Sequence, residues 1–209
     1  MEIKNEKILL TEGLKELNLE HNEHIINQFI KYLNELKRWN RAYNLTSIKK
    51  DEDIIIKHFL DSLLYLKAIP AGRWEICDIG SGAGFPAIPM SIVRPDLIIS
   101  PIEPSRKKTA FLRHIRSMLS LINVEIIESR VEEVRDRLFD IGVSRALFDI
   151  MDVIKRASHI LKKGGFFVLN KGPKIREELQ SFQGNIKVEI IKAPLPFTKI
   201  ERNIVIIRL

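Results

Sequence analysis

A chain of 209 residues with 45% hydrophobic side chains can build one α/β domain plus a modest accessory segment, and it lacks the composition of a disordered tail. No uninterrupted apolar run reaches membrane-spanning length, Lys and Glu interrupt the first ten residues, and the single Cys77 can form neither an internal disulfide nor a metal site, so a soluble cytoplasmic protein is expected. Residues 1–70 hold 11 basic and 11 acidic side chains, which puts the whole net charge of +7 in residues 71–209; this fits a polyanionic partner, nucleic acid foremost, although a solvated basic surface has the same signature.

Taken in chain order, a short helix is predicted over Thr11 to Leu17. A longer one follows over 22–39, where Ile25, Ile26, Phe29, Ile30, Leu33, Leu36 and Trp39 recur at helical spacing. A third helix, Ile54 to Leu66, completes a helical amino-terminal cap of residues 1–70, closed by the breakers Pro70-Ala71-Gly72. From residue 71 to 209 strands and helices alternate. Strands are predicted at 74–79, 97–102, 123–128, 140–144, 164–170, 186–192 and 203–208, with helices at 86–93, 106–121, 149–162 and 174–182. Such alternation implies a seven-stranded, mostly parallel sheet covered by helices on both faces. The last two strands, separated only by a Pro-containing loop, should form an antiparallel hairpin at one edge.

The first strand runs into Asp78-Ile79-Gly80-Ser81-Gly82-Ala83-Gly84-Phe85-Pro86. Glycines at 80, 82 and 84 with Phe at 85 depart from the G-x-G-x-x-G spacing that brings a helix close to a pyrophosphate. The D-x-G-x-G-x-G pattern resembles instead the first motif of class I S-adenosylmethionine-dependent methyltransferases. There the backbone must approach a ribose and an amino-acid moiety, and side chains at 80, 82 and 84 would stand in the way. In a doubly wound sheet ligands lie beyond the carboxyl ends of the strands. Glu103, ending the second strand, is placed either to accept from ribose hydroxyls or to favour the following helix dipole, and Ser105, after Pro104, reads as that helix's N-cap. After the third strand, an apolar residue of Ser129-Arg130-Val131-Glu132-Glu133 can cover an adenine face, while Glu132 or Glu133 reads equally as a first-turn helix acid. Arg145, ending the fourth strand, can take the cofactor carboxylate or an RNA phosphate.

The Asn/Asp-Pro-Pro-aromatic tetrapeptide typical of enzymes that methylate exocyclic amines is missing after the fourth strand. Cys77, upstream of the glycine loop, cannot serve the covalent route to cytosine carbon 5. A ring nitrogen with an in-plane lone pair, such as nitrogen 7 of guanine, needs orientation rather than a dedicated general base, so no catalytic base is expected.

The whole chain resembles the bacterial 16S ribosomal RNA guanine-N-7 methyltransferase family, also called the glucose-inhibited division protein B family. The resemblance rests on Arg38-Trp39-Asn40-Arg41-Ala42-Tyr43-Asn44-Leu45-Thr46-Ser47, Lys57-His58-Phe59-Leu60-Asp61-Ser62, the glycine loop, Ser129 to Glu133, Ser144-Arg145-Ala146 and Asn170-Lys171-Gly172. It implies cofactor contacts at Gly80, Phe85, Glu103, Pro104, Ser105, Val131, Glu132 and Arg145, to which the glycine argument adds Gly82 and Gly84. The acid at 103 is Glu where the family usually has Asp, and the longer arm implies a small backbone adjustment. The implied substrate lies in the decoding region of the small-subunit RNA. Contacts to it are expected among Arg38, Arg41, Asn44, His58, Asp61 and Lys171; Lys31, Lys37, Arg106, Lys107, Arg113 and Arg116 can add phosphate contacts, although most of the basic residues should be solvated helix faces. His58 and Asp61 should share a helix face as a hydrogen-bonded lid rather than a metal pair, and Lys171 should face phosphate. A monomer is expected, with no metal. Two other readings keep part of this pattern: a methyltransferase acting on a protein or small molecule, and a non-catalytic RNA-binding assembly protein.

Overall fold

The computed structural model describes residues 2–145, 149–172, 175 and 187–209. The helical cap begins with α1 (Glu2–Glu16), longer than predicted because Leu10 and Leu14, one turn apart, extend the buried stripe ahead of residue 11. In α2 (Glu23–Tyr43) the Asn22 side chain accepts from the Ile25 amide at the start, and Asn44 closes the helix in the left-handed region with φ 49°. The third cap helix is composite: α3 (Asp51–Ile54), a π-helical turn (Ile55–Leu60), α4 (Asp61–Leu63) and a 3-10 turn (Leu64–Ala68). The wide turn holds both Lys57 and His58, and such insertions recur at functional sites.

The sheet is built from β1 (Glu75–Ile79), β2 (Ile98–Ile102), β3 (Phe139–Arg145), β4 (Leu161–Lys171), β5 (Lys187–Pro194) and β6 (Glu201–Arg208), in the spatial order β2-β1-β3-β4-β6-β5. The first three pairings are parallel and the last two antiparallel, which gives the expected terminal hairpin with β6 wedged between β4 and β5. Helices α5 (Ala87–Val93), α6 (Arg106–Met118) and α7 (Ile150–Ala157) complete the alternation. The helix expected at 174–182 falls almost wholly outside the described residues.

One expectation needs correction: the sheet has six strands among the described residues, not seven. Segment 123–128 lies beside β2 but joins it only through two isolated bridges, Ile99↔Val124 and Ile102↔Ile127. The reason is Pro101. The Ile127 amide donates to the Pro101 carbonyl at 2.9 Å, but Pro101 has no N–H to return to the Glu125 carbonyl, so the ladder is interrupted at its centre. The predicted helix 149–162 likewise ends early, through a 3-10 turn (Ser158–Ile160), because Leu161 already pairs with Phe139.

Strand alternation divides the interior. Ile76, Ile141, Val168 and Ile206 face a core shared with α1, α2, α5 and α6, while Cys77, Ile79, Phe167 and Val205 face a second core under α7. Cap residues such as Leu14, Phe29 and Phe59 belong to the same continuous cluster as the strand residues. That continuity lets a cap helix set the position of the loop after β1.

Candidate active site

The loop after β1 is held from three sides. From below, the Asp78 Oδ2 accepts from the Ser81 hydroxyl at 2.6 Å and from the Ala87 amide at 3.1 Å, tying the loop's start to the first turn of α5. Asp78 is wholly buried, its Oδ1 has no partner, and burial raises its carboxyl to about 6 despite those two hydrogen bonds. From the side, Gly80 and Ser81 donate to the Ile102 carbonyl, and the Glu103 Oε2 accepts from the Gly82 amide at 2.9 Å. From above, the Tyr32 hydroxyl of α2 donates to the Ala83 carbonyl at 2.5 Å. The cap is therefore a structural part of the loop.

The three glycines have left-handed φ values of 70°, 62° and 100°, but they serve different ends. A Cβ on Gly82 would meet only the Gly80 carbonyl at 3.9 Å and would otherwise project into open space. A Cβ on Gly84 would come within 2.6 Å of Ile88 Cγ1 and 2.8 Å of the Tyr32 hydroxyl. Gly84 thus admits the cap helix rather than a ligand, a different reason from the one the spacing suggested.

Two cavities open beside the loop. The smaller, of about 110 Å³, is lined by Ile79, Gly80, Ile102, Pro104, Val131 and Glu132 among others, an apolar slot of the kind that takes a flat base. Glu103 is buried beside it, with Oε2 on the Gly82 amide and Oε1 on the Ser105 amide at 3.0 Å. The extra methylene of Glu lets one carboxylate reach both amides. Each oxygen keeps a lone pair for a further donor, such as a ribose hydroxyl. Ser105 stands at the N-cap position of α6, yet its hydroxyl makes no capping bond. Glu132 pairs with Arg156 at 2.5 Å, and its carboxyl is lowered first by its own backbone amide and then by that partner.

The larger cavity, of about 350 Å³, is lined by Lys57, His58, Asp61, Arg145, Asn170 and Arg202 with Ile48, Gly172 and Ile200. His58 lies flat on Phe85, with ring centroids 4.4 Å apart and planes 13° apart. Its Nδ1 is 3.0 Å from Arg145 Nη2 and its Nε2 is 2.8 Å from the Thr46 hydroxyl. Arg145 has no acceptor lone pair, so Nδ1 must accept and the proton sits on Nε2. Burial first, and the Arg145 charge second, depress this imidazole to about 3, so it is neutral at physiological pH. Arg145 itself donates to the Lys57 carbonyl at 3.3 Å, lies 5.1 Å from the Phe85 centroid and has no carboxylate within ion-pair distance among the described residues. Asp61 turns elsewhere: it accepts from Arg202 Nε at 2.9 Å, Arg202 Nη2 at 3.3 Å and Asn170 Nδ2 at 3.1 Å.

His58 and Asp61 thus share one cavity without bonding to each other. Arg202, Asn170, Thr46, Tyr32 and Tyr65, whose hydroxyl donates to the Ser144 carbonyl at 2.7 Å, carry much of the site without having been given a role from sequence. Asn170 and Thr46 sat inside quoted motifs; Arg202, in a plain strand start, gave no signal. Lys171 is not among the cavity residues, since alternation along β4 directs its neighbour Asn170 there instead. Arg38 and Arg41 are exposed on α2, Arg38 beside Glu35 at 3.3 Å, and Asn44 serves as the helix cap. Cys77 is buried, with its thiol pushed up by burial.

The open space over Gly82, the flat apolar slot and the spare acceptor capacity of Glu103 fit S-adenosylmethionine. A solved S-adenosylmethionine-dependent methyltransferase from Aquifex aeolicus shares the fold, with a TM-score of 0.56 and 15% identity over 75% of this chain and 93% of that one. Among curated relatives, the ribosomal RNA small subunit methyltransferase G of Neisseria meningitidis serogroup B is 36% identical over 95% of this chain and 96% of its own. Its namesake from Clostridium botulinum strain Loch Maree is 35% identical over 96% of this chain and 89% of its own. A family model described as rRNA small subunit methyltransferase G matches residues 25–205. S-adenosylmethionine is the cofactor, and the chain belongs to the GidB family of methyltransferases.

Proposed function

We propose that this protein transfers the methyl group of S-adenosylmethionine to nitrogen 7 of a guanine in the decoding region of 16S ribosomal RNA. The observation that carries the reading is the state of the larger cavity. Both His58 nitrogens are engaged and its ring is neutral, Asp61 is held by Arg202 and Asn170, and Lys57 pairs with Asp53 at 2.7 Å. No described group there is poised as a base, which suits an acceptor that loses no proton when it attacks. Cys77, buried and protonated, offers no nucleophile for a covalent route.

Glu103, the Gly80 and Gly82 backbone, Pro104, Val131 and Glu132 would hold the cofactor, with Phe85 and Arg145 at its reacting end. When bound, the cofactor supplies a methyl group made electrophilic by its sulfonium. The chain's own contribution is orientation: Arg145, held by His58 and the Lys57 carbonyl, is a fixed cation in the wall of the larger cavity, and the buried Phe85 ring backs His58 and Arg145 from the loop. In this reading the protein acts as a monomer on the small subunit or its RNA, a polyanion that suits the excess basic charge.

The test is transfer of labelled methyl from S-adenosylmethionine to small-subunit RNA lacking the mark, followed by mass-spectrometric mapping. One modified guanine in the decoding region is expected, lost with cofactor binding in Gly80→Asp. Calorimetric uptake of the cofactor without transfer to RNA would assign the enzyme a different acceptor.

A further inference from the structure

We propose that Tyr43 is a stacking platform for an unpaired base of the RNA, one flanking the base that enters the larger cavity. This rests on the RNA reading above.

Tyr43, the last residue of α2, is 46% exposed, and its ring leads inward through a continuous series of rings. Its centroid is 5.4 Å from that of Trp39, which lies 5.5 Å from Phe111 and 5.3 Å from His114. Phe111 is wholly buried, and His114 is fixed by Glu35 at 2.6 Å. An exposed aromatic backed by rigid rings has little rotamer freedom left to lose when a planar partner covers its free side, the property shared by aromatic platforms for single-stranded nucleic acid.

Two independent connections place the ring near the chemistry. Gln28 of α2 donates to the Leu119 carbonyl just beyond α6, while Trp39 meets Phe111 and His114, so the two helices run antiparallel. Four residues beyond Trp39, about 6 Å at the helical rise, Tyr43 is level with the start of α6. The first turn there carries Arg106, Lys107 and Lys108, and Lys108 reaches to 3.9 Å of Glu103. In the other direction the chain turns at Asn44, and three residues after Tyr43 the Thr46 hydroxyl meets His58 on the Phe85 ring. At no more than about 3.6 Å per residue, Tyr43 and Thr46 are within about 11 Å, a span suited to the next nucleotide rather than the reacting one. The cations at the start of α6 supply phosphate contacts for the same stretch of strand; Arg106 is exposed there while it lies 3.6 Å from Glu128.

The experiment measures RNA affinity across a salt series, steady-state methylation and calorimetric cofactor binding for Tyr43→Ala, Tyr43→Phe and Lys107→Ala. Stacking predicts that Tyr43→Ala weakens RNA binding and raises the KM for RNA by about tenfold, with cofactor affinity and thermal stability unchanged and the salt slope retained. Tyr43→Phe should stay within about twofold of the parent, and Lys107→Ala should reduce the salt slope by about one. Tyr43→Ala with parental RNA affinity, or Tyr43→Phe as weak as Tyr43→Ala, would overturn the platform while leaving the methyltransferase reading intact. A parent protein that binds cofactor but neither binds nor methylates the RNA would overturn both.

Discussion

Two buried titratable side chains within one site have opposite pH linkages. Asp78 is raised to about 6, so its contribution to stability is full below its unfolded value of about 4 and is lost as pH rises through about 6. His58 is depressed to about 3, so its contribution is present above about 6.5 and is lost as pH falls through about 3. Between about pH 4 and 6 the folded protein holds one proton more at Asp78 and one fewer at His58 than the unfolded chain, and the two slopes of about 1.4 kcal/mol per pH unit cancel. Urea melts over this window should show it. Relative to the parent, Asp78→Asn should lose stability on acidification and His58→Gln should gain it, at about that slope. Parallel profiles for the two variants would contradict the assignment.

Among the elements, the loop after β1 depends on α2 as much as on its own strand. Gly84→Ala places a Cβ against Ile88 and the Tyr32 hydroxyl at φ 100°, so overpacking and backbone strain combine to a loss of about 2–4 kcal/mol in chemical denaturation. Cofactor affinity should fall with it, because the Tyr32 to Ala83 bond and the Gly82 amide share the same loop. Unchanged cofactor binding in a destabilised variant would separate the cap from the loop. How much of this was legible follows from the range of each interaction. The glycine loop, the alternation and the terminal hairpin are encoded in local spacing, and the sequence reading recovered them. Pro101 was equally visible, but its effect on the edge ladder appears only once it is known which side of β2 segment 123–128 occupies. The bonds from Tyr32 to Ala83, Tyr65 to Ser144 and Arg202 to Asp61 join residues 51, 79 and 141 positions apart, so only the completed topology brings them together. The π-helical turn that aims His58 has no composition signature of its own.

For the molecule as a whole, the continuity of the core between cap and sheet predicts a single cooperative transition. The two tryptophans serve as local reporters, since Trp39 lies in α2 and Trp74 immediately precedes β1. Single-tryptophan variants should give coincident urea midpoints, matching far-ultraviolet circular dichroism. A lower midpoint for the Trp39 reporter would mean that the cap opens first. The interior position of β6 has a further bearing, on biosynthesis. A ribosome delivers β5 before its neighbour exists, so until residues 201–208 emerge the sheet has an unfilled seam beside β4, and the Asp61 carboxylate has yet to meet its guanidinium. Nascent chains arrested before Glu201 should therefore be clients of chaperones and prone to intermolecular strand pairing, whatever the quality of the glycine loop already made.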